Sequence, residues 1–393
     1  MNIPVSCSLI LVAGLSVAMT QPAEAQPARN ARPEIVAIYF PGYHQDDHYD
    51  SWFGEGWNEW KLLAQAPARF PNQRLFRPAW GDFDEADPVW MARQISLAAD
   101  HGVDVFLFDW YWYSGVKILE RPLEHAFLQA TNQSRLKYAL MWANHDWRNY
   151  FPAPRDGEAP LLLPSRTSPR DFGRLIDYCV TNYFARNNYW RVQRALYFGI
   201  FDSESFMKQL GGPGEARRVL ENAREHTRRG GMGAIHFAAF HGDPGAVPRL
   251  RDAGFDSVTS YNIVASSKAS LPDHPLDLYG DLVDHHAVVW KGMDTGMLPY
   301  FPVLTVGWDC TPRWALDTPF PPKNGGYPYG TVVVSNTPAE FGRLCKLARE
   351  HVRSAKLPPP AILVNAWNEW TEGSVLLPEK EHGTAFLQKL KDF

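Results

Sequence analysis

Glu369 and Glu372 are the residues of this chain from which chemistry is most readily argued. They stand three apart in Pro360-Ala-Ile-Leu-Val-Asn-Ala-Trp-Asn-Glu-Trp-Thr-Glu-Gly373, an apolar run that ends in tryptophans, amides and carboxylates. Breaking a glycosidic bond needs a proton for the leaving oxygen and a stabilised, oxocarbenium-like centre, and two carboxyl groups usually supply both. The spacing keeps the pair close. Closeness favours retention over inversion, which needs room for a water between the groups. It also raises one pKa, so that one carboxyl holds a proton near neutrality. Trp367 and Trp370 would add to this by lowering the local polarity. A second reading is equally open at this level: glutamates in the first turn of a helix offset its macrodipole. What positions the segment decides between them.

The positioning elements are visible as apolar runs alternating with helical patterns. Strands are expected at 34–41, 103–108, 136–141, 195–201, 233–240, 256–260, 300–306 and 362–364. Helices are expected near 84–101, 116–130, 171–184, 215–228, 276–290, 338–354 and 384–390. Eight strands alternating with helices predict an α/β fold, a single (β/α)8 TIM-type barrel with elaborated strand-exit loops. After nearly every strand come polar and aromatic residues, and a barrel brings all eight exits to one face. Tyr43, His44, Asp109, Trp110, Trp142, Asn144, His145, Asp146, Asp202, His241, Tyr261, Trp308, Asp309, Glu369 and Glu372 are therefore expected to ring one cleft. A third to a half of them would instead cap helices or bridge loops. The His44, Asp46, Asp47, His48 cluster lacks a regular ligand spacing and reads as a solvated loop, with no metal expected.

Composition narrows the classes further. A formal net charge of −4 without a dense Lys/Arg tract argues against a nucleic-acid surface. The chain holds 15 Trp, 16 Tyr and 22 Phe, many beside Asp, Asn, His or Arg. Sugar rings stack their C–H faces on aromatics while their hydroxyls need polar partners, so the mixture suits an oligo- or polysaccharide. Residues 1–25 read as a secretory signal peptide, apolar from Ser8 to Met19 and followed by Ala23-Glu-Ala25, although no Lys or Arg precedes the apolar run. Residues 26–33 read as a linker and 34–393 as one catalytic domain, periplasmic or secreted, with no membrane attachment after cleavage. Cys179, Cys310 and Cys345 would remain, as free thiols. G-x-G-x-x-G after the first strand, P-loop, G-x-S-x-G and H-E-x-x-H signatures are absent.

Six blocks, in order along the chain, resemble glycoside hydrolase family 99-like (WbsX-type) proteins, which are related to the family 99 endo-α-mannosidases and mannanases. The blocks are Tyr39-Phe-Pro-Gly-Tyr-His44, Gly54-Glu-Gly-Trp-Asn-Glu-Trp60, Phe108-Asp-Trp-Tyr-Trp112, Trp142-Ala-Asn-His-Asp-Trp147, Gly307-Trp-Asp-Cys-Thr-Pro-Arg313 and Ala366-Trp-Asn-Glu-Trp-Thr-Glu-Gly373. The resemblance implies a (β/α)8 barrel and a retaining hydrolase with no metal or organic cofactor. It implies that Glu369 is the base that activates the substrate 2-hydroxyl, giving a 1,2-anhydro sugar, and that Glu372 is the acid/base. Through the same blocks, Tyr39, Tyr43, His44, Trp60, Asp109, Trp110, Tyr111, Trp142, Asn144, His145, Asp146, Trp147, Trp308, Asp309, Arg313, Trp367 and Asn368 join the expected substrate-binding set. The group commonly has Glu where His145 stands and Asn where Cys310 stands, departures that bear on which sugar is held. Two other functions are compatible with the blocks: a glycosyltransferase of polysaccharide synthesis, against which the leader speaks, and a non-catalytic carbohydrate-binding barrel, against which the intact Glu pair speaks.

Overall fold

The computed structural model describes residues 32–269, 275–323 and 325–392, so the expected leader and the first part of the linker lie outside the described residues. The architecture is a parallel α/β barrel. Its strands are β1 (Glu34–Tyr39), β2 (Val105–Tyr113), β3 (Lys137–Trp142), β4 (Ala195–Ile200), β5 (Ile235–Phe240), β6 (Ser257–Thr259), β7 (Tyr300–Phe301 and Val303–Thr305) and β8 (Ala361–Asn365). Neighbours in sequence are neighbours in the sheet, with registers such as Val36 opposite Val105 and Ser257 opposite Ala238. Pro302 splits β7 because it has no N–H to give the ladder. Tyr300 pairs with Val258 of β6 and Val303 with Leu363 of β8, so β7 joins the two sides. β1 pairs with β8 as well, Ile35 opposite Ile362, and the eight strands form a ring. Strands covered on both faces must be apolar on both, which is why they read as continuous runs.

The helices are α1 (Asp47–Phe53) and α2 (Glu59–Gln65) in the β1 exit, then α3 (Pro88–Asp100), α4 (Pro169–Cys179), α5 (Ser203–Leu210), α6 (Pro213–Arg229), α7 (Val247–Asp252), α8 (Tyr279–Met293), α9 (Pro338–Ser354) and α10 (Ala385–Lys391). Several start on a side-chain cap followed by proline: Asp87 before Pro88, Ser168 before Pro169 and Thr337 before Pro338. No helix of the described residues is long and apolar enough to cross a membrane.

Four expectations need correction. β2 does not stop at Phe108; it continues to Tyr113 and folds back on Val116–Ile118 as an antiparallel hairpin. Ser114 and Gly115 both take positive φ there, the geometry of a tight two-residue turn. The expected helix over 116–130 is consequently a strand followed by one π-helical turn (Pro122–Ala126) and one 3-10 turn (Phe127–Gln129). The helix expected from 276 begins at Tyr279, because Leu276–Leu278 pairs in parallel with Val332–Val334. The loop around His44 is solvated only in part: Gln45 and Asp47 are exposed and His48 is half-buried, but His44 and Asp46 are buried, and the Asp46 carboxylate accepts from His48 N at 2.8 Å and Leu119 N at 3.1 Å. Cys179, Cys310 and Cys345 are free and buried.

Candidate active site

The Glu369-to-Glu372 segment is a hairpin turn at the end of β8. Asn368–Glu369 pairs antiparallel with Ser374–Val375, and Trp370–Glu372 forms a single 3-10 turn between them. Gly373 closes the turn at φ +65, and a Cβ there would lie 2.9 Å from both the backbone N and the Cβ of Asp309. Gly373→Ala is therefore expected to cost about 1–2 kcal/mol from the left-handed backbone alone, read as a lower urea midpoint, with the clash against Asp309 adding to it. The Asn368 side chain ties the turn to β1: it accepts from Phe40 N at 2.8 Å and donates to Phe40 O at 2.6 Å. Asn144 does the same between β3 and β4, accepting from Asp202 N at 2.7 Å and donating to Asp202 O at 2.9 Å.

Arg313 stands at the centre of the site, buried, and all five of its N–H donors are used. Nε donates to Thr371 Oγ1 at 2.9 Å. Nη1 donates to Glu372 Oε1 at 2.6 Å and to the Tyr327 hydroxyl. Nη2 donates to Glu59 Oε2 at 3.1 Å and to Glu369 Oε2 at 3.3 Å. The Phe40 and Phe151 rings flank the guanidinium, with centroids 5.6 and 5.2 Å from its carbon. Burial would lower the Arg313 pKa, but Glu59, Tyr327, Glu372 and Glu369 reverse this and keep it charged. The Tyr327 hydroxyl in turn donates to Glu372 Oε1 at 2.7 Å.

A fourth carboxyl completes the cluster. The Tyr261 hydroxyl lies 3.0 Å from Asp109 Oδ2 and 3.2 Å from Glu369 Oε1. One phenolic proton can serve only one of them at a time, so a proton shared within this trio is favourable. Burial raises the Asp109 pKa, and burial with the adjacent Glu372 charge raises that of Glu369 well above the ordinary carboxylate range, against the pull of Arg313. Burial also raises Glu59, again opposed by Arg313. Asp109 Oδ1 is buried and has no partner among the described residues. The cluster thus combines acceptors, a cation and a carboxyl inclined to keep its proton, which are the components of acid/base catalysis.

These groups open on a cavity of about 720 Å³ at the strand-exit face. Of the expected residues, Asp109, Tyr111, His145, Asp146, Trp147, Tyr261, Trp308, Arg313, Glu369 and Glu372 line it. His145 Nδ1 lies 2.9 Å from the Asp146 carbonyl, which fixes that nitrogen as the donor and leaves Nε2 an acceptor. Burial lowers the His145 pKa and favours the neutral ring.

The other expected residues do not line this cavity, and strand alternation explains two of them. Trp110 points away from Asp109 and Tyr111, stacking on Trp112 5.6 Å away. Trp142 points away from Met141 and Ala143, against Phe172. Tyr39 packs on Phe106 and Phe108, its hydroxyl 3.0 Å from Glu85. Trp367 is sealed beside Phe106 and donates to Gln94 at 2.8 Å. Asn368 and Asn144 brace backbone, Asp202 caps α5, Asp309 accepts from Thr311 N at 2.9 Å and Gln73 at 2.7 Å, and His241 Nδ1 accepts from Asp243 N at 3.1 Å. Tyr43, His44 and Trp60 border a separate hollow of about 410 Å³. Tyr43 still braces the turn, accepting from Thr371 N at 3.0 Å. Residues missing from the sequence reading also line the cavity: Phe40, Met141, Tyr150, Phe151, Phe201 and Tyr327. The missing carboxylate, Glu59, lies behind it.

Comparison with known proteins places the chain in a family and its fold among known barrels. The family described as Glycosyltransferase WbsX matches residues 35–390. The chain belongs to this WbsX family. Its curated relatives include the Uncharacterized protein WxcX of two strains of Xanthomonas campestris pv. campestris, each 26% identical over 362 residues, covering 90% of this chain and 48% of the relative. This WbsX-family chain thus spans about half the length of the curated relatives it matches. Among solved structures it is similar to the GH99 endo-alpha-mannosidase from Bacteroides thetaiotaomicron, with a TM-score of 0.58 at 16% identity over 91% of this chain and 96% of that one. A structure titled Glycoside hydrolase-like protein gives a TM-score of 0.58 at 15% identity over 94% and 96%. The WbsX chain therefore shares the barrel of glycoside hydrolases; at these identities the likeness is one of fold. Among the described residues no group of three or more His, Cys, Asp or Glu is placed to hold a metal ion.

Proposed function

We propose that this chain is a retaining glycoside hydrolase acting on an oligo- or polysaccharide, exported by its leader. The observation that carries the reading is that Glu369 and Glu372 line one cavity while joined to the same guanidinium. Glu369, whose raised pKa makes its carboxylate a stronger base, takes the proton of the substrate 2-hydroxyl. The freed oxygen attacks the anomeric carbon, the glycosidic bond breaks, and a 1,2-anhydro sugar forms. The reacting form carries the proton of the Glu369–Glu372 pair on Glu372, and because Oε1 already accepts from Arg313 and Tyr327, the proton given to the leaving oxygen sits on Oε2. Glu372 then deprotonates water, which opens the anhydro ring at the anomeric carbon, and the 2-oxygen recovers its proton from Glu369. Two inversions give net retention, and no ester to the protein forms.

The test is digestion of a panel of bacterial and plant polysaccharides, with the first-formed anomer followed by NMR. Fragments released with retained configuration are expected. The family's description as glycosyltransferases favours a second reading, glycosyl transfer. Turnover of a nucleotide-sugar with no hydrolysis on the panel would replace the first reading with that one.

A further inference from the structure

Glu59 has no place in the steps above. It does not line the cavity and is fully buried in the first turn of α2, yet it bonds to the centre of the catalytic cluster. Its partners are one guanidinium and two hydroxyls. Oε2 accepts from Arg313 Nη2 at 3.1 Å and from Thr371 Oγ1, and Oε1 lies 3.4 Å from the Tyr49 hydroxyl. The guanidinium can only donate, so the Arg313 contact favours the carboxylate form against the burial that raises its pKa, while the two hydroxyls can serve either form. The remaining hydrogen of Nη2 goes to Glu369, so Glu59 and Glu369 share one nitrogen of one cation.

We propose that Glu59 is a positioning residue that acts through Arg313: by occupying half of Nη2 with a fixed negative charge, it prevents the guanidinium from neutralising Glu369 and so keeps Glu369 a strong base. The need for such a device follows from the geometry. An arginine in sole contact with Glu369 and Glu372 would stabilise both as carboxylates and leave a weak base beside a poor acid. A third carboxylate, out of the substrate's reach, holds the arginine in place and offsets its charge. Thr371 lies between the two glutamates in sequence and bonds both Glu59 and Arg313, so the same contact sets the position of the turn. The other groups facing Glu369 are Glu372 in its own turn, Tyr327 and Cys310 from the β7 exit, Tyr261 from the β6 exit, Asp109 and Tyr111 from β2, and Tyr43 from the β1 exit. Burial and Glu372 raise the Glu369 pKa, Arg313 opposes them and Glu59 adds to the rise, so the Glu59–Arg313 contact bears directly on Glu369.

This inference rests on Glu369 acting as the base, but its test does not need turnover. In full-length protein with 13C-labelled glutamate carboxyls, Glu369 is assigned by its loss in Glu369→Gln and Glu59 by its loss in Glu59→Gln. Wild type is expected to show Glu59 ionising at lower pH than Glu369. In Glu59→Gln, the Glu369 titration is expected to move down by about one pH unit, because Nη2 turns wholly to Glu369. Glu59→Asp keeps the charge and is expected to leave that titration nearly in place. Where hydrolysis is measurable, the acidic limb of kcat/KM follows the same shift, and kcat falls about threefold to tenfold in Glu59→Gln. An unshifted Glu369 titration in folded Glu59→Gln overturns the proposal. So does wild-type protein in which Glu59 takes up its proton before Glu369 as pH falls, a result obtainable even if Glu59→Gln does not fold. If the titrations behave as expected and no glycan is cleaved, the hydrolase reading fails while the electrostatic role stands.

Discussion

Glu372→Gln and Glu369→Gln each lower hydrolysis of the natural glycan about 10³-fold, and substrate structure separates them. Glu372 supplies the leaving-group proton in the proposed mechanism. A glycosyl fluoride needs little such help, so Glu372→Gln regains part of its activity on the fluoride's first step. Glu369→Gln does not, because the 2-hydroxyl still has to be deprotonated. For the same reason, wild-type protein does not turn over a substrate whose 2-hydroxyl is methylated, although it still binds it. Both variants are close in shape to wild type, and both keep a hydrogen-bonding atom for Arg313, so glycan affinity is expected to change little. The measurements are kcat on polysaccharide and on fluoride, with binding by calorimetry. Full activity in both variants would remove the carboxyl pair from the mechanism. Equal loss on both substrates would remove the division of labour between them.

The barrel was legible because its physics is local. A parallel strand covered on both faces has to be apolar, and Ile362, Leu363 and Val364 or Phe106, Leu107 and Phe108 announce themselves. The same property hid which side each residue faces. With both faces apolar, Trp110 and Asp109 look equally well placed, and only the pleat sends one outward and the other into the cavity. The extent of β2 was misread because Ser114-Gly115 had to be recognised as a hairpin turn before Val116 could be seen as a returning strand. Glu59 was invisible for a different reason. Following Asn58, whose side chain caps α2, it reads as an ordinary first-turn glutamate, and the arginine it holds is 254 residues away. Phe201 reads as the last residue of a strand, and Tyr150 and Tyr327 lie far along their loops; which way each side chain turns depends on contacts such as Phe201 on Tyr261 and Tyr150 on Tyr327. Counting inward positions at i and i+2 leads from Asp109 to Tyr111, which the family resemblance already implies, and from Met141 to Ala143, which it does not.

Arg313→Met removes the cation that three buried carboxylates share, and its effect on stability is expected to depend on pH in a way that tests the cluster directly. Breaking a buried ion pair by deleting one partner typically costs about 3–5 kcal/mol, because the other charge is left uncompensated in a low-dielectric site. Here Glu59, Glu369 and Glu372 are all left so. Glu59 and Glu369, already raised by burial, can escape the penalty by taking up protons, which means that their folded-state pKa values rise further above the unfolded ones. In the window between the two values the folded state binds more protons than the unfolded state, and stability then falls as pH rises. The deficit relative to wild type is therefore small at pH 5 and large at pH 8, when read from urea unfolding. Wild type has the same slope in weaker form, since Glu369 is already raised by burial and by Glu372. Arg313→Lys restores one positive charge but only three donors, against the five that the guanidinium uses. It is expected to recover most of the stability at pH 8 and little of the activity, because a point charge cannot hold Thr371, Glu59, Glu369, Glu372 and Tyr327 in register at once. A deficit in Arg313→Met that is equal at both pH values, or greater at pH 5, would mean that these carboxyls do not depend on Arg313 for their charge.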